Sequence, residues 1–431
     1  MNYQEMYNKK KTDVFGALEK VKSGDLIWTS YNGLEPKVFM SNLHTIAHRV
    51  EGVLVRHAGV FEGYPFVSDP TYRGRIVPRT GFTDYFTRKA HEHKGTEFMP
   101  AHLHNGFRRG GTDDGIDVFV VMVGPMDKHG YFRMSLSVIA EREALEATRL
   151  LILEVNPNLP NVLGDNEIHI SEVDYLYESN EPIITIPDQE PDEVDMAIGK
   201  NVAALVEDGS TIQLGIGKIP DAVAKFFMEK NDLGVHTEMI TSSVARLAKA
   251  GVITGRKKTL YPKKIIGNFA LGSQELYEFL DDNPSVMLLP GRYTNDPKVI
   301  MQNYKMVSIN AALQVDLVGQ ICSESIGSMQ YSGTGGAVDF AYGAIHSEGG
   351  KSIIAIKSTT KNGTISAIQP VLSPGSIVTI SRNDIDYVVT EFGVATMKGT
   401  PTIRRVENLI NVAHPDFRDE LREGAARYKL W

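Results

Sequence analysis

The chain reads as an α/β protein built from two related open α/β domains of mostly parallel strands, and three observations lead there. Short β-branched runs alternate with helical patterns almost from end to end, the order in which parallel strands and crossover helices follow one another. At 431 residues the chain is too long for one ordinary core, so two domains of roughly 200 residues each are expected. A segment near the start also recurs in the second half: Val21-Lys-Ser-Gly-Asp-Leu-Ile-Trp-Thr-Ser aligns without gaps with Val206-Glu-Asp-Gly-Ser-Thr-Ile-Gln-Leu-Gly. Both copies run helix end, glycine turn, strand and loop. Ten residues of such likeness also occur between unrelated α/β units, so that alternative stays open; if the halves are related, a site is expected in the cleft between them.

The elements follow in chain order. Val118-Phe-Val-Val-Met-Val and Leu150-Leu-Ile-Leu-Glu-Val are strands by composition, separated by a helical stretch around Ala140–Thr148. The proline- and acid-rich segment from Glu181 to Pro191 is a connector. It divides the chain into an N-terminal domain, 1–186, and a C-terminal domain, 187–431. In the latter, Val194, Ile198, Val202 and Leu205 recur at helical spacing, Asp208-Gly209 closes that pattern, and Thr211–Leu214 is a strand. Near the C-terminus, His414-Pro-Asp breaks a helical pattern around Val406–Ile410 and starts another near Phe417.

Composition removes several classes of function. The apolar runs Val118–Val123 and Leu150–Leu153 are far too short to span a bilayer. The polar first residues lack the apolar core of a secretory signal, so a cytoplasmic address is expected. Cys322 is the only cysteine, which excludes internal disulfides and cysteine-based metal clusters. A formal net charge of −8 without a long basic block leaves no electrostatic footprint for nucleic acid. His91, His93, His102 and His104 invite a metal, but Pro100 separates the two pairs and no supporting ligand spacing accompanies them, so no metal is expected.

Three motifs carry candidate chemistry. Gln213-Leu-Gly-Ile-Gly-Lys-Ile-Pro is a strand, a glycine turn and a helix entered at Pro220. Free N–H groups at such a helix start favour an anion or a developing oxyanion. Neither nucleotide fingerprint fits, because Pro220 and Ile212 stand where glycines are required. His236-Thr-Glu-Met carries one carboxylate, Glu238, which on spacing alone reads as a helix-start acid facing the dipole of the stretch Val244–Ala250. Gln330-Tyr-Ser-Gly-Thr-Gly-Gly-Ala-Val-Asp-Phe is a second glycine turn with exposed backbone donors. Two such turns flanking a carboxylate could bind a phosphate-bearing cofactor and stabilise an oxyanion.

With these motifs in place, the chain resembles the acetyl-CoA hydrolase/transferase family, in particular its 4-hydroxybutyrate and butyrate–acetate CoA-transferase branch. The likeness covers nearly the whole chain and is densest from Ile198 to Arg418: Gln213–Val223, His236–Met239, Arg292-Tyr-Thr-Asn-Asp-Pro, Val307–Asp316, Ser332–Phe340, Thr390–Ala395 and Ala413–Arg418. The resemblance implies Glu238 as nucleophile, the backbone near Ile216 and Gly336 as oxyanion donors, and Asn295 as a polar group near the glutamate. It places Gly215, Ile216, Gly217, Lys218 and Ile219 along the CoA thioester, counts Gly335 and Gly336 among the CoA-binding residues, and assigns Leu313 and Lys357 to the CoA channel. Coenzyme A would then be a substrate, exchanged between a short-chain acyl-CoA such as butyryl- or 4-hydroxybutyryl-CoA and a carboxylate such as acetate, by ping-pong kinetics through a glutamyl-CoA thioester. No permanently bound cofactor is implied, and a homo-oligomer is. The stretch Ala58–Gly110 departs from the 4-hydroxybutyrate pattern, and Lys357-Ser-Thr-Thr-Lys looks more like the acetate and succinate branch. An acyl-CoA hydrolase using the same glutamate, and a non-catalytic acyl-CoA sensor, are the alternatives.

Overall fold

A computed structural model describes residues 2–108 and 115–430. The chain forms two compact units: Met1–Ile186 with Gly267–Tyr293, and Pro187–Ile266 with Thr294–Trp431. The linear division into 1–186 and 187–431 made no provision for the return of Gly267–Tyr293 to the first unit.

The first unit holds strands β1 (Leu26–Thr29), β2 (Val53–His57), β3 (Ile76–Thr80), β4 (Glu97–Phe98), β5 (Ile116–Val123), β6 (Thr148–Val155) and β7 (Tyr175–Glu178). They pair in the order β4-β3-β2-β1-β5-β6-β7, every pair parallel. Alternate residues Ile27, Val53, Val55, Val118, Val120 and Ile152 pack on one face against Phe39, Leu43 and Val67, all buried. Each such side chain stabilises the unit by roughly 1.5–3 kcal/mol when fully buried. The expected helix around Ala140–Thr148 is Glu141–Ala147.

The second unit repeats the plan with β8 (Thr211–Leu214), β9 (Gly234–His236), β10 (Ile265–Gly267), β11 (Met306–Ala311), β12 (Lys351–Ala355), β13 (Tyr387–Thr390) and β14 (Gly393–Thr396). Their order is β10-β9-β8-β11-β12-β13-β14, parallel except for the antiparallel β14. In both units, therefore, the first strand lies inside the sheet with later strands added on either side. The ungapped echo superimposes β1 on β8, and the turn glycines before them share a left-handed conformation, φ +80° at Gly24 and +76° at Gly209. Only glycine adopts that region without cost, which accounts for its recurrence. One face of the second sheet packs Ile354, Val388 and Ile356 against Val406, Leu409, Ile410 and Leu421 of the C-terminal helices.

Local boundaries shifted where capping overrode periodicity. Helix α1 spans Glu193–Leu205 and ends at Val206, short of Asp208-Gly209; its start is a capping box in which Asp192 and Asp195 satisfy each other's backbone N–H groups. Helix α2, Lys218–Phe227, begins two residues before Pro220, with Gly217 as its N-cap. Pro220 thus occupies the first turn, where its missing N–H costs no bond. His91 closes the helix Tyr85–His91, and the His102 and His104 rings stack at 6.0 Å. Among the described residues no group of three His, Cys, Asp or Glu side chains is disposed to hold a metal, and no helix is long and apolar enough to cross a membrane. Residues 109 and 110 of the departing stretch Ala58–Gly110 lie outside the described residues.

Candidate active site

In the second unit, the strand-to-helix connection after β9 carries Glu238. Its helix, α3 (Ser242–Lys249), is capped by Thr241, whose hydroxyl accepts the Val244 N–H at 3.4 Å. Glu238 lies before that cap, so the helix-start reading is replaced: the carboxylate is free of the helix and is held elsewhere. Asn295 Nδ2 donates to Glu238 Oε2 at 3.1 Å, and the backbone N–H of Gly336 also donates to this carboxylate.

Gly336 is required here by space rather than by backbone conformation. Its φ of −97° and ψ of 9° are open to other residues, yet a Cβ would stand 2.0 Å from Glu238 Oε2 and 2.2 Å from Asn295 Nδ2. Any side chain would displace both groups. Gly336 is the N-cap of helix α5 (Ala337–His346), and Asn295 precedes the short helix α4 (Pro297–Ile300), which Asp296 caps. The two helices meet at Gly343, where a Cβ would approach Ile300 Cγ2 to 2.4 Å. Ile300, Phe340, Ala344 and Met306 form a small buried cluster around that contact. Packing of α4 on α5 therefore sets the spacing between Asn295 and Gly336. The second glycine turn is organised from behind by the buried Glu324, which accepts from Thr334 Oγ1 at 3.3 Å and Gln330 Nε2 at 3.1 Å.

Burial pushes the Glu238 carboxyl up to about 7, and the nearby Asp339 carboxylate adds to the rise; the Asn295 and Gly336 bonds pull it back down. A half-buried carboxylate of that basicity is ionised over part of the neutral range and poorly solvated, which suits a nucleophile.

Sequence reasoning passed over two supports inside motifs it had quoted. His236 is buried, and its Nε2 lies 2.8 Å from the carbonyl oxygen of Thr294. A carbonyl only accepts, so Nε2 carries the proton. Burial first, and then the Lys258 ammonium, hold this imidazole down to about 3, so it stays neutral. The bond ties β9 to the residue preceding Asn295. Asp339, buried in the first turn of α5, is the second support. The signal for His236 was its place two residues before the carboxylate on a buried strand, where alternation points it away from solvent.

Of the remaining candidates, Gly215–Ile219 run from the end of β8 into α2, at the same edge of the sheet as Glu238. Ile216 is 44% exposed there, and its backbone makes no hydrogen bond to Glu238 among the described residues. The structure thus brings Glu238, Asn295 and Gly336 into contact and leaves Ile216 and Lys218 on the exposed turn. Gly335 adjoins Gly336 in left-handed conformation, φ +54°. Leu313 donates its N–H to the Cys322 carbonyl at 2.8 Å. The Lys357 ammonium is engaged by the capping box of α1, 2.8 Å from Asp192 and 2.9 Å from Asp195.

Fold and site together define a class, and comparison with known proteins bears on it directly. The chain belongs to the acetyl-CoA hydrolase/transferase family: the profile of the family's N-terminal domain matches residues 1–187 and that of its C-terminal domain residues 272–425. Within the family it is 43% identical over 428 residues to succinyl-CoA:cyclohexane-1-carboxylate CoA transferase of Geobacter metallireducens, covering 99% of this chain and 97% of that one. It is 50% identical over 306 residues to 4-hydroxybutyrate coenzyme A transferase of Clostridium kluyveri, 71% of each chain. The crystal structure of RipA from Yersinia pestis superimposes with a TM-score of 0.95 at 35% identity, covering 100% of both chains.

Proposed function

We propose that the protein is a CoA-transferase that exchanges CoA between a short-chain acyl-CoA, butyryl- or 4-hydroxybutyryl-CoA, and a carboxylate such as acetate. The observation that carries this reading is a carboxylate held by an amide and a backbone N–H at a point where no side chain but glycine's fits. Family membership and CoA-transferase relatives support it.

Glu238 attacks the thioester carbonyl; the C–S bond breaks, CoA leaves as thiolate, and an acyl–glutamyl anhydride remains. The thiolate attacks the glutamyl carbonyl, the anhydride C–O bond breaks, the first acid departs as carboxylate, and glutamyl-CoA is left. The second carboxylate reverses these two steps and frees Glu238. Every nucleophile and leaving group is an anion, so no proton is moved and no general acid is needed. Each tetrahedral intermediate places an oxyanion, for which the Gly336 and Ile216 N–H groups are the assigned donors. One preorganised donor is worth about 3–4 kcal/mol, or ~100–1,000-fold in rate. Asn295 orients the carboxylate, and Gly215–Ile219, Gly335, Leu313 and Lys357 are assigned to the CoA side. We assign 1–186 as the N-terminal CoA-transferase-like domain and 187–431 as the domain carrying the glutamate. CoA passes through as substrate, without a resident cofactor. A homo-oligomer follows the family resemblance, and the buried, unpaired Cys322 suits a reducing cytoplasm.

The test is intact-protein mass after exposure to butyryl-CoA, for wild type and Glu238→Ala, followed by acetate. A CoA-sized adduct that needs Glu238 and discharges to acetyl-CoA supports the transferase. Discharge to water without acetate would replace it with a hydrolase. Tight acyl-CoA binding without any adduct would point to the sensor.

A further inference from the structure

Lys258, in the segment that joins α3 to β10, is 3% exposed. Its side chain lies across the glycine of β9: a Cβ on Gly234 would stand 3.2 Å from Lys258 Cβ and Cγ and 3.3 Å from Cδ. Its Nζ donates to the Lys264 carbonyl at 3.1 Å, and among the described residues no carboxylate pairs with it. Burial alone holds the ammonium down to about 7. A lysine buried without a counter-charge is costly, which calls for a role that an apolar side chain does not fill.

The register shows what Lys258 faces. Gly234 pairs with Thr211, and Gly234 and His236 point to the same side of β9, because side chains alternate along a strand. Thr211, Lys258 and the His236 imidazole therefore share one face of the sheet, with Phe340 of α5, whose ring lies 6.2 Å from that of His236. Two buried atoms on this face, Thr211 Oγ1 and His236 Nδ1, have no partner among the described residues. The imidazole proton is on Nε2, so Nδ1 is a bare acceptor. Lys258 is near enough to disfavour protonation of the imidazole, yet its Nζ makes no direct bond to Nδ1. Beyond its bond to Lys264, Nζ keeps an N–H to give, as ammonium or as amine.

We propose that one internal water joins Lys258 Nζ, Thr211 Oγ1 and His236 Nδ1, and that Lys258 is thereby a positioning residue for Glu238. A buried water makes about three hydrogen bonds to such otherwise unsatisfied groups, and it bridges a donor and an acceptor held beyond ~3.5 Å. The water accepts from Nζ, donates to Nδ1 and takes its third bond with the threonine hydroxyl. The partner at one ring nitrogen decides which nitrogen carries the proton. With a donor at Nδ1, the proton stays on Nε2 and the 2.8 Å bond to the Thr294 carbonyl persists. The opposite tautomer would set the Nε2 lone pair against that carbonyl and turn the peptide leading into Asn295, which holds Glu238 Oε2 at 3.1 Å. The effect on turnover rests on Glu238 as nucleophile; the tautomer does not.

The test compares wild type with Lys258→Met, Thr211→Val and Glu238→Ala. Nitrogen NMR of protein carrying isotope-labelled histidine reads the two ring nitrogens of His236, identified by their loss in His236→Leu. Wild type should show Nε2 protonated and Nδ1 bare. In Lys258→Met the two signals should move toward each other as the tautomers mix, and kcat for butyryl-CoA with acetate should fall about tenfold or more, with both KM values within about twofold. Thr211→Val should move both readouts in the same direction and by less. Unchanged ring nitrogens in Lys258→Met overturn the proposal, and a lowered melting temperature alone would make the lysine a structural group. A tautomer shift with unchanged kcat refutes the positioning role. If Lys258→Met does not fold, Thr211→Val decides by the same two readouts. Glu238→Ala should keep the wild-type nitrogen signals and lose turnover; full turnover there would remove the reaction assigned to Glu238 and leave the tautomer result standing.

Discussion

Gly336→Ala isolates the site from the fold. The added Cβ would meet Glu238 Oε2 at 2.0 Å and Asn295 Nδ2 at 2.2 Å, against an ordinary non-bonded separation of about 3.5 Å. The carboxylate must retreat by about 1.5 Å, which breaks the 3.1 Å bond to Asn295. A misplacement of about 1 Å at a reacting group costs on the order of 100-fold, or about 2.7 kcal/mol of barrier. Backbone strain adds nothing, since φ −97° and ψ 9° suit alanine. Exchange of alanine for glycine at the N-cap costs about 1 kcal/mol, a shift of roughly 2–4 °C in melting temperature for a unit of this size. The assay is turnover of butyryl-CoA with acetate beside a thermal melt, with Gly363→Ala as control. Gly363 has a φ of +85° and nothing within 4 Å of a Cβ, so alanine there strains the chain and leaves turnover per folded molecule unchanged. If Gly336→Ala keeps turnover within about threefold of wild type, the steric reasoning is refuted.

Four further outcomes are expected. Because Glu238 must be ionised to attack and its carboxyl sits at about 7, adduct formation in single-turnover mass measurements should fall as pH drops through 7 and level off above it; a flat profile down to pH 5 contradicts the assignment. The same shift carries a stability sign: a raised folded pKa stabilises the fold below the ordinary carboxyl value of 4.5 and loses that contribution as pH rises through about 7. Glu238→Gln, which cannot ionise, should therefore gain melting temperature relative to wild type between about pH 5 and pH 8. Asn295→Ala removes a bond that holds the carboxyl down, so turnover should drop about 10–100-fold and the pH profile should move to higher pH; a drop without that move would mean Asn295 acts elsewhere. His236→Leu removes the bond to the Thr294 carbonyl, costing about 0.5–1.5 kcal/mol, and loosens Asn295; chemical denaturation and turnover should both respond, and a stability loss with full turnover would confine His236 to the fold.

Much of the fold was legible from local rules. Strand Thr211–Leu214 begins and ends where composition and the turn glycine place it, and the echoed glycines mark equivalent turns because no other residue adopts their backbone conformation cheaply. Helix ends were less legible. The α2 start at Lys218 and the α1 end at Leu205 depend on which groups satisfy the terminal N–H and C=O groups, and periodicity does not encode that. The site was legible through the family likeness, and its three converging residues, Glu238, Asn295 and Gly336, are far apart in the chain. Nothing in the spacing of 238, 295 and 336 says that they meet.

By itself the sequence determined the alternation of strand and helix, the doubled plan, and the residue types available for chemistry, since these follow from side-chain propensity and from glycine's special geometry. Only the tertiary structure decided the rest. Packing of Gly343 on Ile300 brings two helix starts together, and the crowding this creates leaves Gly336 no room for a side chain. Burial then raises the Glu238 carboxyl, because desolvation depends on neighbours supplied by distant segments. The same holds for Arg56: its charge is written in the sequence, but its burial to 3% exposure is a property of the folded sheet alone.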